Sequence, residues 1–212
     1  MAKAPYEFNS RDELIEYLRS EKTRIRANDF FSKRIPNIES VVREGVSGNT
    51  FRAFRKLPKK PSVVFREWGT KWITGAMERL QTINTEDEYE IFVLESTDNL
   101  RLEWLKIMSS ELGFGIASKL CNLVLKKLPC LLNLDEDFKQ RLIRLLHVPL
   151  DHYSIVGLRR LITNPKIPSN ATMNFIKKPE EYLLLQRYIA DVAKEAGVPA
   201  IYYDILAWDM AH

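Results

Sequence analysis

The chain has 212 residues, 45% of them hydrophobic, and a formal net charge of +4. That is enough apolar material for one real core or two small lobes, which excludes a disordered chain. Charge or proline interrupts every apolar stretch within about a dozen residues, which excludes a bilayer-spanning helix, and the start MAKAPYEF lacks the basic-then-apolar pattern of a secretory signal. The expectation is a cytoplasmic monomer that makes no membrane contact.

In chain order the elements read as almost all helix. Ser10 followed by Glu13 forms a capping box before Leu14, Ile15, Tyr17 and Leu18. A short helix follows Pro36 and stops near Gly45 or Gly48. Residues 49–61 are basic, carry two prolines and read as a loop. A long helix is predicted over 63–83, with Phe65, Trp68, Trp72, Ile73, Met77 and Leu80 on one stripe. Two shorter helices are predicted next, over 86–94 and 100–111. Leu112-Gly113-Phe114-Gly115 breaks the pattern, and a helix resumes over 117–128 until Pro129 ends it. Asp135 caps a helix carrying Phe138, Leu142, Leu145 and Leu146. Asp151 precedes another that starts at His152 or Tyr153. The proline-rich stretch 164–179 reads as a loop, and two helices over 180–196 and 199–210 close the chain around Gly197. The fold class is all-α, in one domain or in two lobes with a site between them.

Cys121 and Cys130 read as reduced thiols in a chain that needs no staple. With His147, His152 and His212 they make no ligand spacing of the zinc-finger or iron–sulfur type, so neither a metal nor a cofactor is expected. Positive charge gathers at Lys22, Arg24, Arg26, Lys33 and Arg34, and then at Arg52, Arg55, Lys56, Lys59 and Lys60. Further groups are Lys119 with Lys126 and Lys127, and Arg159 with Arg160. Brought to one face, they would form a phosphate footprint; singly, each is an ordinary solvated surface.

Gly113-Phe114-Gly115 between two helices makes a tight hairpin. Its glycines permit positive φ or the close approach of another backbone. The helix start beyond it offers free N–H groups and a favourable dipole to an anion such as a DNA phosphate. Lys119 stands just inside that second helix, and Asp151 stands at the N-cap of a later one. Breaking an N-glycosidic bond builds positive charge on deoxyribose. A fixed carboxylate stabilises that charge, and an unprotonated amine can attack C1′. Each residue also has an ordinary role, a surface lysine and a structural cap; order and context together favour chemistry. Trp68, Trp72, Trp104 and Trp208 are candidate pocket walls or wedges, although such residues at helical spacing are more often core.

The hairpin, the lysine and the later aspartate-capped helix resemble the helix-hairpin-helix DNA glycosylase superfamily. The extra helix between Lys119 and Asp151 is most similar to the archaeal 8-oxoguanine DNA glycosylase family. That family also has a second lysine two turns after the first, matched by Lys126, and a C-terminal helix with Asp and Trp four apart, matched by Asp204 and Trp208. The chain departs from it in carrying His152 where a proline follows the aspartate. The resemblance implies Lys119 and Asp151 as the catalytic pair, Gly113 and Gly115 at a DNA phosphate, and Lys126, Asp204 and Trp208 around the flipped base; His152, where the chain departs from the family, is a further candidate to contact the base or a phosphate. The resemblance implies an oxidised guanine as that base, while the residues by themselves leave a phage-type modified cytosine open. A non-catalytic DNA-binding module that keeps only the hairpin is the alternative.

Overall fold

The computed structural model describes residues 5–46, 50–51, 57 and 59–211. The basic residues Arg52, Arg55 and Lys56, with Gly48 and His212, lie outside the described residues. Within them the chain is all-α: ten α-helices, no β-strand, and a lone bridge between Ile35 and Leu131. They are α1 (Arg11–Arg19), α2 (Glu21–Phe31), α3 (Ile38–Gly45), α4 (Pro61–Thr82), α5 (Glu86–Met108), α6 (Phe114–Lys127), α7 (Glu136–Leu145), α8 (His152–Gly157), α9 (Pro179–Ala196) and α10 (Tyr202–Ala211). No helix among these residues is long and apolar enough to cross a membrane. Cys121 and Cys130 are buried and unlinked.

Local signals place most boundaries. Ser10 accepts from the Glu13 N–H, but the Glu13 carboxylate reaches back past the cap to the Asn9 N–H at 2.6 Å. Asp135 accepts from the Phe138 N–H at 2.8 Å and starts α7. Gly197, at φ 72°, terminates α9 in the left-handed conformation that suits glycine.

Three elements differ from expectation. A separate α2 exists, because Ser20 turns the chain and its hydroxyl caps the next helix at Thr23. Helix α6 begins at Phe114, three residues early, so Lys119 lies in its second turn. The two helices expected over 86–111 are one continuous α5. The polar run Glu95–Asn99 reads as a break, yet its side chains have partners. Thr97 donates back to the Val93 carbonyl, while Ser96 and Asn99 accept the indole N–H groups of Trp72 and Trp68 on α4. Polar residues that normally compete with a helix are here spent on its neighbour. Trp68 and Trp72 stack at 4.8 Å, and Trp104 is core.

Helix α6 runs through the middle of the molecule, between α3 and α5. Ala117, Leu120, Cys121, Val124 and Leu125 are buried on it, and each large apolar side chain so removed from water contributes roughly 1.5–3 kcal/mol before entropy. Asn122, also buried, donates to the Tyr182 hydroxyl at 2.8 Å and ties α6 to α9. Helix α10 packs on α2 and α8. Its Tyr203 hydroxyl donates to the Ser154 carbonyl at 2.7 Å, over Gly157, where a Cβ would come within 2.6 Å of the tyrosine hydroxyl oxygen. The loop 164–178 is strapped on by its own carbonyls. Ile167 accepts from Arg159, Ala171 is bonded to His152, and Ile176 accepts from Gly115.

Candidate active site

Lys119 and Lys126 are seven residues apart on α6, so both point from one face, two turns from each other. Each meets a carboxylate. Lys119 Nζ stands 3.7 Å from Asp151 Oδ2, and Lys126 Nζ forms a short ion pair with Asp204. The first separation is an ion pair without a hydrogen bond. All four side chains are at most 15% exposed.

Asp151 is held from two sides. Upstream, the buried Gln186 of α9 accepts from the Val148 N–H at 2.9 Å and donates to the Val148 carbonyl at 2.7 Å, fixing the buried run Val148–Leu150. Downstream, Asp151 Oδ1 accepts from the N–H groups of Tyr153 and Ser154, and the Ser154 hydroxyl accepts from the Asp151 N–H. One carboxylate oxygen is thus committed to the cap, and the other faces Lys119. Tyr203 binds α10 to this same Ser154, which brings the next residue, Asp204, close enough for the charges of Asp151 and Lys119 to act on it. Burial pushes the Asp204 carboxyl above its ordinary pKa, against the opposing pull of Lys126.

A cleft of about 410 Å³ opens beside the second pair. Lys126, Trp208 and Ile205 line it with Arg26, Asp29, Phe30, Lys33 and Asp209. Trp208 is 47% exposed and meets Tyr153 edge-on at 6.0 Å. Asp209 pairs with Lys22 at 2.7 Å and Arg26 at 3.5 Å across the mouth. Sequence reasoning missed the contribution of α2, because nothing in its spacing says that Phe30 faces a helix end almost a hundred residues later. A larger cavity of about 620 Å³ is lined by His147, Arg144, Arg187, Lys194 and Tyr202 and by none of the paired residues; its acidic and basic side chains are mixed without a convergent set.

His152 sits apart from the cleft. Its Nδ1 is 2.7 Å from the Ala171 carbonyl, which can only accept, so the proton is on Nδ1. The residue stands beside Asp151 rather than with Lys126 and Trp208. The hairpin also departs from expectation. Gly113 is extended at φ −60°, with open space where a Cβ would stand, so it needs no glycine. Gly115 does, because a Cβ would fall 2.0 Å from the Met173 carbonyl oxygen. Its N–H donates to the Ile176 carbonyl at 3.1 Å, so the expected phosphate contact at Gly115 is taken by the protein's own backbone. Among the described residues, the N–H groups of Gly113 and Phe114 have no acceptor, which leaves the hairpin two donors. Arg159 and Arg160 share the one carboxylate of Glu7, which offsets half of their charge.

Two stability outcomes follow from these contacts. Gly115→Ala should cost at least about 2 kcal/mol, since the clash is with backbone that cannot swing away. The thermal midpoint should fall by roughly 4–8 °C; an unshifted midpoint would show that the 173–176 segment yields. Asp204→Asn should cost on the order of 3 kcal/mol in denaturant unfolding, because it leaves Lys126 charged in a nearly closed site. Adding Lys126→Met should return most of that loss. A single variant as stable as wild type would mean that water already screens the pair.

Comparison with protein families, characterised proteins and solved structures finds no significant match to this chain.

Proposed function

We propose that this protein is a DNA glycosylase with associated lyase activity. The observation that carries the reading is the pair Lys119–Asp151, in which the cap fixes one carboxylate oxygen and leaves the other facing a single amine. Such a carboxylate costs no reorganisation when positive charge develops on the sugar beside it. The target base is inaccessible inside a duplex and must be flipped out. Unprotonated Lys119 Nζ then bonds to C1′ as the C1′–N bond breaks, and the base leaves with the electron pair and takes up a proton. Loss of the amine proton and opening of the sugar ring give a Schiff base, from which elimination of the 3′ phosphate cuts the strand.

The cleft beside Lys126 suits the expelled base. Trp208 offers a ring face and Lys126 a donor on the cleft wall, with Asp204 buried as the partner of Lys126, and a base lacking the complementary groups would leave that pair unmatched. His152 serves next to Asp151, toward the sugar and its phosphates. The end of α5, the turn 109–113 and α6 act as the helix-hairpin-helix, with the Gly113 and Phe114 N–H groups toward a phosphate. An oxidised guanine or a modified cytosine is the base class.

The test is a panel of duplexes, each with one modified base, scored for abasic sites and strand cleavage and for adducts trapped by borohydride. Cleavage and trapping on one member are expected. Salt-sensitive duplex binding with no cleavage or adduct on any member would leave the non-catalytic DNA-binding module instead.

A further inference from the structure

The ring of Phe30 on α2 gathers two ammonium groups from α6 and one from the chain just past the end of α2. Lys126 Nζ lies 4.3 Å from its centroid, Lys127 Nζ 4.5 Å and Lys33 Nζ 5.5 Å. The backbone holds this arrangement. Ile35 donates to the Cys130 carbonyl at 2.8 Å and accepts from Leu132 at 2.7 Å, which ties the end of α2 to the chain just beyond α6. Asp204 neutralises Lys126. Among the described residues, neither Lys127 nor Lys33 forms an ion pair. A ring face stabilises a cation through its quadrupole without supplying a counter-charge, so these ammoniums are held in place with their charge still available. Burial lowers the Lys127 pKa, Lys33 and Lys126 add to this, and Cys130 and Glu44 oppose it.

We infer that Lys33 and Lys127, posted around Phe30 beside Lys126, form a second anion site that takes a phosphate of bound DNA, separate from the hairpin. The inference rests on DNA binding, which both the glycosylase and the non-catalytic module share, and does not require Lys119 to be a nucleophile. A bound phosphate would relieve the like-charge contact and accept from two amines at once. The site stands at the opposite end of α6 from the hairpin. The two contacts therefore fix the duplex at both ends of the helix that bears Lys119 and Lys126, since phosphate contacts set position without reading sequence.

The experiment is duplex binding over a range of salt, using unmodified DNA, with wild type, the double variant Lys33→Gln with Lys127→Gln, and the control Lys194→Gln. For one phosphate lost, the slope of log affinity against log salt should become shallower by about 0.9, and affinity near 0.15 M salt should fall on the order of fivefold. The control should match wild type. The thermal midpoint of the double variant should hold or rise, since like charges have been removed. Duplex binding with an unchanged slope in the double variant overturns the inference, as does an equal change in the control, which would report net charge alone. A midpoint gain in inorganic phosphate over chloride at equal ionic strength, absent from the double variant, would assign the site to a free anion and overturn its assignment to DNA. Wild type that binds no duplex overturns the site and both DNA readings. Wild type that binds with the expected slope change, yet cleaves no modified duplex, overturns the glycosylase alone.

Discussion

Lys119→Ala is expected to abolish the borohydride-trapped adduct on any duplex that wild type cleaves. The adduct requires a C=N bond between a primary amine and C1′, and Lys119 is the amine that faces the free oxygen of Asp151 at 3.7 Å. Lys126 also lies on this face, but Asp204 holds it in a short ion pair two turns away, so it is not placed to substitute. Lys119→Arg sharpens the test. It keeps a positive charge near Asp151, yet a guanidinium does not deprotonate in a protein and cannot form the Schiff base. Both variants should lose the adduct while retaining plain-duplex binding within a few-fold. An undiminished adduct in Lys119→Ala would remove this residue from the chemistry and move the search to Lys126.

Asp151→Asn is expected to lower turnover by roughly two orders of magnitude or more, about 2.7 kcal/mol of barrier. The amide oxygen can still accept from the Tyr153 and Ser154 N–H groups, so the start of α8 should persist. What changes is the atom facing Lys119: an anionic oxygen becomes an NH₂ that can only donate. Substrate affinity should stay within a few-fold. Because Lys119 is 15% exposed, loss of its counter-charge should lower stability modestly. Activity and unfolding free energy falling in step would instead make Asp151 a structural cap. Asp151→Ala, which removes cap and charge together, should lose a further ~1 kcal/mol of stability.

The parts of this molecule legible in the sequence are those whose causes are local. Asp135 and Asp151 cap the helices that follow them, and the stripe from Phe65 to Leu80 is buried along much of its length. Lys119 and Lys126 share a face because of helical periodicity alone. Where partners are distant the sequence is silent. Asp204 meets Lys126 across 78 residues, and no spacing shows that this aspartate is 2% exposed rather than a surface residue near the C-terminus. Glu95–Asn99 reads as a helix break because Ser, Thr and Asn compete with backbone; only the Trp68 and Trp72 N–H groups from α4 reveal where that capacity goes. Gly115 is the instructive intermediate case. Close approach of another backbone was legible, but that backbone is Met173–Ile176 of the same chain.

The loop that supplies it also limits how this scaffold can vary. Between Ile167 and Ile176 the loop lends three carbonyl oxygens, to Arg159 behind α8, to His152 beside Asp151 and to the start of α6. It works as a gauge block set between two helix starts, with its length dictated by the gap. One residue added or removed there would slide every later carbonyl out of register with its donor and leave polar groups stranded. Most surface loops absorb insertions at little cost. This one should not, so diversification of the scaffold has to be sought elsewhere, and a library that varies loop length at 168–175 should yield mostly unfolded chains.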